Sequence, residues 1–135
     1  MMKVNGKCHC GAISYEATVD PQRVTICHCT DCQALTGSAY RVSVPAASDS
    51  FSLRRGSPAI YVKTAENGAK RAQAFCSTCG SPLYTYAANA DVVSYGLRVG
   101  CIEQRRELPP RQQKWCSSAL EWSMDIAHLP GRERE

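Results

Sequence analysis

Apolar and polar residues alternate along most of this chain with a period of two. Ile13, Tyr15, Ala17 and Val19 share one face of an extended segment, as do Val24 and Ile26, and Tyr40, Val42 and Val44. Further short runs at Phe51–Leu53, Ala59–Lys63, Ala72–Phe75, Pro82–Tyr86 and Val92–Val99 are strand candidates. Turn signals separate them at Asp20-Pro21, Arg55-Gly56-Ser57-Pro58, Asn67-Gly68 and Leu108-Pro109-Pro110. Many short strands at close spacing predict an all-β domain. One interruption breaks the period: Thr30–Thr36 predicts a short helix, with Thr30 and Gln33 at capping-box spacing and Gly37 as its stop. We read residues 1–130 as a single domain and 131–135 as a flexible tail.

Composition narrows the class. With 44% hydrophobic and 21% charged residues the chain is that of an ordinary soluble protein. It holds no apolar run long enough to span a membrane, and Met1–Gly6 lacks the apolar core of a signal peptide, so a cytoplasmic location is expected. In that reducing compartment, clustered cysteines are metal ligands more often than disulfides. The formal charge of +4 invites a nucleic-acid reading. Seven thiolates on two Zn²⁺ would lower it to about +1, and the remaining basic residues (Arg54-Arg55, Lys70-Arg71, Arg105-Arg106, Arg111, Lys114) are dispersed as on a solvated surface. No nucleic-acid or membrane partner is expected.

The chemistry lies in the cysteines. Seven of the nine form three clusters: Cys8 and Cys10; Cys27, Cys29 and Cys32; Cys76 and Cys79. Cys76-Ser77-Thr78-Cys79-Gly80 has the form of a zinc knuckle, Gly80 permitting the positive φ that closes its turn. In Cys8-His9-Cys10 two thiols two residues apart reach the same side of an extended backbone, and His9 points away. Together these four thiols make a closed structural site. Cys27-His28-Cys29-Thr30-Asp31-Cys32 offers three thiols in six residues at a helix start, where the first-turn amides favour thiolate. Three ligands leave a tetrahedral zinc one position short, the donor set of a catalytic site. The alternatives are an empty thiol nest, or a closed site completed by Cys101, Cys116 or His128. His28 alternates away from the triad.

Gly6-Lys7-Cys8-His9-Cys10-Gly11, Cys27-His28-Cys29-Thr30-Asp31-Cys32, Gly37-Ser38-Ala39 and Phe75-Cys76-Ser77-Thr78-Cys79-Gly80-Ser81 together resemble the glutathione-dependent formaldehyde-activating enzyme family. That family, also called S-(hydroxymethyl)glutathione synthase, has the Mss4-like fold. The resemblance implies small coiled antiparallel sheets stabilised by zinc, with at most one or two short helices. It implies structural zinc on Cys8, Cys10, Cys76 and Cys79, and catalytic zinc on Cys27, Cys29 and Cys32. The implied activity is that of a zinc-dependent carbon–sulfur lyase or synthase acting on a thiol–aldehyde adduct, with glutathione and formaldehyde as partners. Asp31 is a candidate for proton handling and Arg41 for a glutathione carboxylate, since Arg41 alternates out of register with its apolar neighbours. Trp115 and Trp122 are candidates for lining a pocket, with core packing the default expectation. The last third departs from the family pattern: Gly100-Cys101-Ile102-Glu103-Gln104 replaces Gly-Thr-Leu-Asp-Asp, and Gln113 stands where many relatives carry a histidine. The rival reading is a non-enzymatic, metal-stabilised module that binds a protein or peptide, which the fold also permits.

Overall fold

The computed structural model describes residues 1–135. Ten strands and one helix follow in chain order. They are β1 (Met2–Lys7), β2 (Ser14–Val19), β3 (Thr25–Cys27), α1 (Thr30–Thr36), β4 (Arg41–Ala47), β5 (Ser52–Arg55), β6 (Ala59–Thr64), β7 (Lys70–Phe75), β8 (Pro82–Ala87), β9 (Ser94–Arg98) and β10 (Gln112–Lys114). The all-β expectation holds, and the helix spans the residues expected of it. Two strands escaped the sequence. β1 reads as a polar leader because Lys3, Asn5 and Lys7 interrupt it, yet Val4 is buried and the strand pairs along its whole length with β2. β10 carries no apolar residue; it is a strand because Gln112–Lys114 pair in parallel with Thr25–Cys27.

The main path of the sheet is β1-β2-β4-β9-β8-β7-β6. Every pairing is antiparallel except β3 with β10. β4 is the hub. Its first half pairs with β3, its end touches β2, and its other edge carries β9. The strand therefore has two working faces. Val44 and Ala46 are buried in the core, while Arg41, Ser43 and Pro45 line a cavity on the other side.

The core collects Tyr15, Leu83, Leu97, Ile102 and Leu108 with the valines of β1, β2 and β4. Each such side chain contributes roughly 1.5–3 kcal/mol on burial. Tyr15, Phe51, Tyr84 and Tyr95 form an aromatic cluster, with Phe51 stacked on Tyr95 at 4.2 Å. A Cβ on Gly6 would overlap the Tyr15 ring, so β1 closes on β2 only with glycine there. Only 25 of the 135 residues are buried, a small core for this length, and the fold is correspondingly suited to stapling by metal.

Candidate metal centres

The first centre joins the start of the chain to its middle. Cys8 and Cys10 leave β1 through a turn closed by Gly11 at φ 81°, while Cys76 and Cys79 lie in the turn between β7 and β8, closed by Gly80 at φ 77°. The Cys8–Cys10 and Cys10–Cys76 sulfur separations are 3.6 and 3.7 Å. A tetrahedral zinc with Zn–S bonds of about 2.3 Å sets its sulfurs about 3.8 Å apart, so these donors fit that ion. All four sulfurs lie within 4.8 Å of one another. Backbone amides of Ile13 and Cys79 donate to Cys8 Sγ and Cys76 Sγ at 3.3 and 3.5 Å. The Ser81 hydroxyl beside Cys79 Sγ (3.2 Å), with the Cys10 amide, holds that thiol down to about 5. Such donors stabilise thiolate over thiol, the form a cation takes.

The second centre is built by the end of β3 and the start of α1. Cys29, not Thr30, caps the helix: its sulfur accepts from the Cys32 amide at 3.3 Å. Gln33 has left the capping role and instead donates to the carbonyls of His28 and Ser118, at 2.9 and 3.0 Å, tying the helix to the C-terminal segment. Gly37, at φ 62°, ends the helix as expected. The sulfurs of Cys27, Cys29 and Cys32 lie within 4.8 Å of one another and also have the compactness a zinc requires. Burial opposes charge at Cys29, but the Cys32 amide, the neighbouring thiols and the Lys63 ammonium outweigh it and hold Cys29 below its ordinary value. Burial, together with the other two sulfurs, pushes Cys27 up to about 12.

No fourth donor joins the triad. Cys101 donates to the Pro82 carbonyl at 3.1 Å, Cys116 is exposed, and His128 meets Asp125 at 3.2 Å on the surface. His28 is fully buried and turned from the sulfurs. Its Nε2 meets Gln113 Oε1 at 2.8 Å, its ring stands edge-on to Tyr40, and its Nδ1 has no partner. Gln113, placed beside β3 by β10, thus occupies the position from which it holds the His28 ring. Nothing in the sequence pairs two residues 85 apart.

The triad opens into a cavity of about 480 Å³. Six cations line it (Arg23, Arg41, Lys63, Arg71, Arg98 and Lys114), with no carboxylate among the lining residues. Arg41 is 5% exposed, makes no side-chain hydrogen bond to the protein, and has a buried, unpartnered Nε. Arg98 on β9 donates to Ser43 Oγ at 2.8 Å and Gln73 Oε1 at 2.7 Å. Burial, and then its neighbours Arg41 and Arg71, pull Arg98 down to about 9: the site is short of negative charge. Arg71 and Lys114, read as solvated from their sequence context, face this cavity. Lys63 reaches it from β6 while its Nζ pairs with Asp31 at 2.9 Å. The Asp31 carboxylate is itself half exposed and outside the lining.

Neither tryptophan joins the core: Trp115 and Trp122 are exposed by 49% and 62%. Trp115 is the one non-glycine residue at positive φ, 58°, and it lines the cavity where β10 ends. Arg71 and Arg98 are the missed residues, and neither had a local signal. With Gln113, which the sequence did single out, they come from three separate strands that only the sheet order brings around one opening.

Residues 3–118 match the sequence profile of the family described as glutathione-dependent formaldehyde-activating enzyme. A comparison with curated proteins gives no match. Among solved structures, a crystal structure of a Rhodobacter sphaeroides protein is similar to this chain, with 23% sequence identity and a TM-score of 0.61. The similarity covers 81% of this chain and 98% of that one, and it shows a shared fold.

Proposed function

The chain belongs to the glutathione-dependent formaldehyde-activating enzyme family, and from that premise we propose that it makes and breaks the carbon–sulfur bond of a glutathione–aldehyde adduct at the Cys27–Cys29–Cys32 centre. One observation carries this reading: three clustered thiols lacking a fourth donor open into a cavity whose charged lining is wholly cationic. The substrate that complements it is an anionic thiol. Glutathione supplies two carboxylates and one sulfur.

In this reading Cys8, Cys10, Cys76 and Cys79 hold a structural zinc, and Cys27, Cys29 and Cys32 a catalytic one. Zinc at the triad would supply Lewis acidity toward the substrate sulfur, favouring its thiolate and so both its attack on a carbonyl carbon and its departure from one. Arg41 and Arg98 take the glutathione carboxylates. Arg98 is already oriented by Ser43 and Gln73, and the Arg41 guanidinium is unengaged, so neither must break an internal ion pair to bind. Lys63, aligned by Asp31, places an ammonium near the sulfurs, where it stabilises the thiolate and then the oxyanion that develops as the C–S bond forms. Asp31 acts through Lys63 rather than on the substrate. In the forward direction the thiol proton ends on the former carbonyl oxygen, and the reverse returns it. Gln113 holds the His28 ring, fixing the backbone between Cys27 and Cys29.

The test is exchange NMR on glutathione and formaldehyde with protein shown by metal analysis to carry two zinc ions. A rate of adduct exchange well above buffer, lost in Cys29→Ala, is expected. No acceleration by doubly loaded protein would remove the enzyme reading and leave a metal-stabilised binding module.

A further inference from the structure

Formaldehyde adds one carbon to a thiol and needs almost no room, yet a second cavity of about 450 Å³ adjoins the first. The two share Leu35, Arg41, Gln73 and Arg98. Beyond those shared groups the second cavity is walled by Tyr61, Ala74, Phe75, Gly80 and Pro82, and apart from the Tyr61 hydroxyl no side chain among these is polar. Leu35 stands one helical turn beyond Cys32 on α1, on the same side of the helix. A chain attached to a sulfur at the triad would therefore run along α1, past Leu35, into the apolar chamber. The cationic wall of Arg41 and Arg98 would lie at its entrance.

We propose that the second cavity is a subsite for an apolar substituent on the substrate sulfur, so that the protein takes glutathione adducts of medium-chain or aromatic aldehydes as well as of formaldehyde. This rests on the glutathione reading above and adds to it the size and polarity of the aldehyde-derived group. The peptide arms of glutathione, polar throughout, match the cationic chamber and not this one. A six-carbon chain matches it. Burying one methylene is worth roughly fourfold in affinity, and a chamber bordered by the exposed Tyr61 covers only part of the chain.

The proposal is tested by calorimetric titration of the zinc-loaded protein with S-methylglutathione and S-hexylglutathione. The hexyl ligand is expected to bind at least about tenfold more tightly. Tyr61→Ala should reduce that advantage to threefold or less and leave S-methylglutathione unchanged; Tyr61 is 55% exposed on an edge strand, so its loss does not threaten the fold. Ile60→Ala, a neighbouring exposed position that does not line the chamber, should behave as wild type. Equal affinity for the two ligands, or a hexyl advantage that survives in both Tyr61→Ala and Leu35→Ala, would overturn the subsite while leaving the glutathione reading intact. Failure of both ligands to bind would overturn the two together.

Discussion

Replacing Arg41 by methionine should make the free protein more stable and a worse binder. Arg41 is nearly inaccessible, has no protein hydrogen bond, and carries an Nε with no partner. A buried polar group left unsatisfied costs on the order of 1–3 kcal/mol, and a buried charge that lacks an ion pair costs more. Two circumstances reduce it here. The guanidinium reaches a cavity that water can enter, and the triad thiols, the only lining groups able to become negative, include Cys27, the cross-strand partner of Arg41. Methionine keeps the unbranched length and loses the charge, and it relieves the repulsion that helps pull Arg98 down. The expected gain is about 1 kcal/mol, or a rise of roughly 3–4 °C in Tm for a chain of this size. Glutathione should bind roughly 10- to 150-fold more weakly, the value of one charge-assisted hydrogen-bonding group. Urea titration and calorimetry on preparations of equal zinc content measure both. A variant destabilised by more than about 1 kcal/mol with unchanged glutathione affinity would refute the reasoning, because Arg41 would then be a structural residue.

Cys79→Ala should bind one zinc fewer and lose several kcal/mol of stability, whereas Cys29→Ala should keep its fold and lose only exchange activity and the other zinc; metal analysis with thermal melts separates them, and equal loss of fold would contradict the division. Gly6→Ala forces a methyl into the fully buried Tyr15 ring and should cost about 2–4 kcal/mol in a denaturant titration. Burial, with Tyr95 and Tyr86 nearby, pushes Tyr84 up to about 12. Its neutral form is favoured by folding, so that contribution is complete below pH 10, where the unfolded tyrosine is also neutral, and is lost between about 10 and 12. Tyr84→Phe should flatten the alkaline fall in stability, and an unchanged fall would exclude Tyr84 as its source.

Alternation and spacing along the chain settle what local geometry can settle. Period-two alternation placed Tyr15, Ala17 and Val19 on one face of β2, and Thr30–Thr36 is helical as its residues and Gly37 imply. Thiol spacing sorted seven cysteines into a group of four and a group of three, because two or three ligands from one short turn already constrain where an ion fits. It also placed Arg41 on the face opposite the core valines. It could not say that Cys29 would displace Thr30 as the cap, since a thiolate acceptor competes with a hydroxyl only once a cluster has formed around it.

Everything that makes the triad a pocket was decided by tertiary structure. β10 has no hydrophobic pattern and exists only as a partner of β3, yet it brings Gln113 to His28 and Trp115 to the cavity. Arg71 and Arg98 look like ordinary charged residues until the order β4-β9-β8-β7 sets them around the same opening as Arg41. Side-chain alternation fixes which face of its own strand a residue takes; whether that face meets water or two other guanidiniums depends on pairings tens of residues away. The thiols announce the metal chemistry, and the sheet order decides what substrate can reach it.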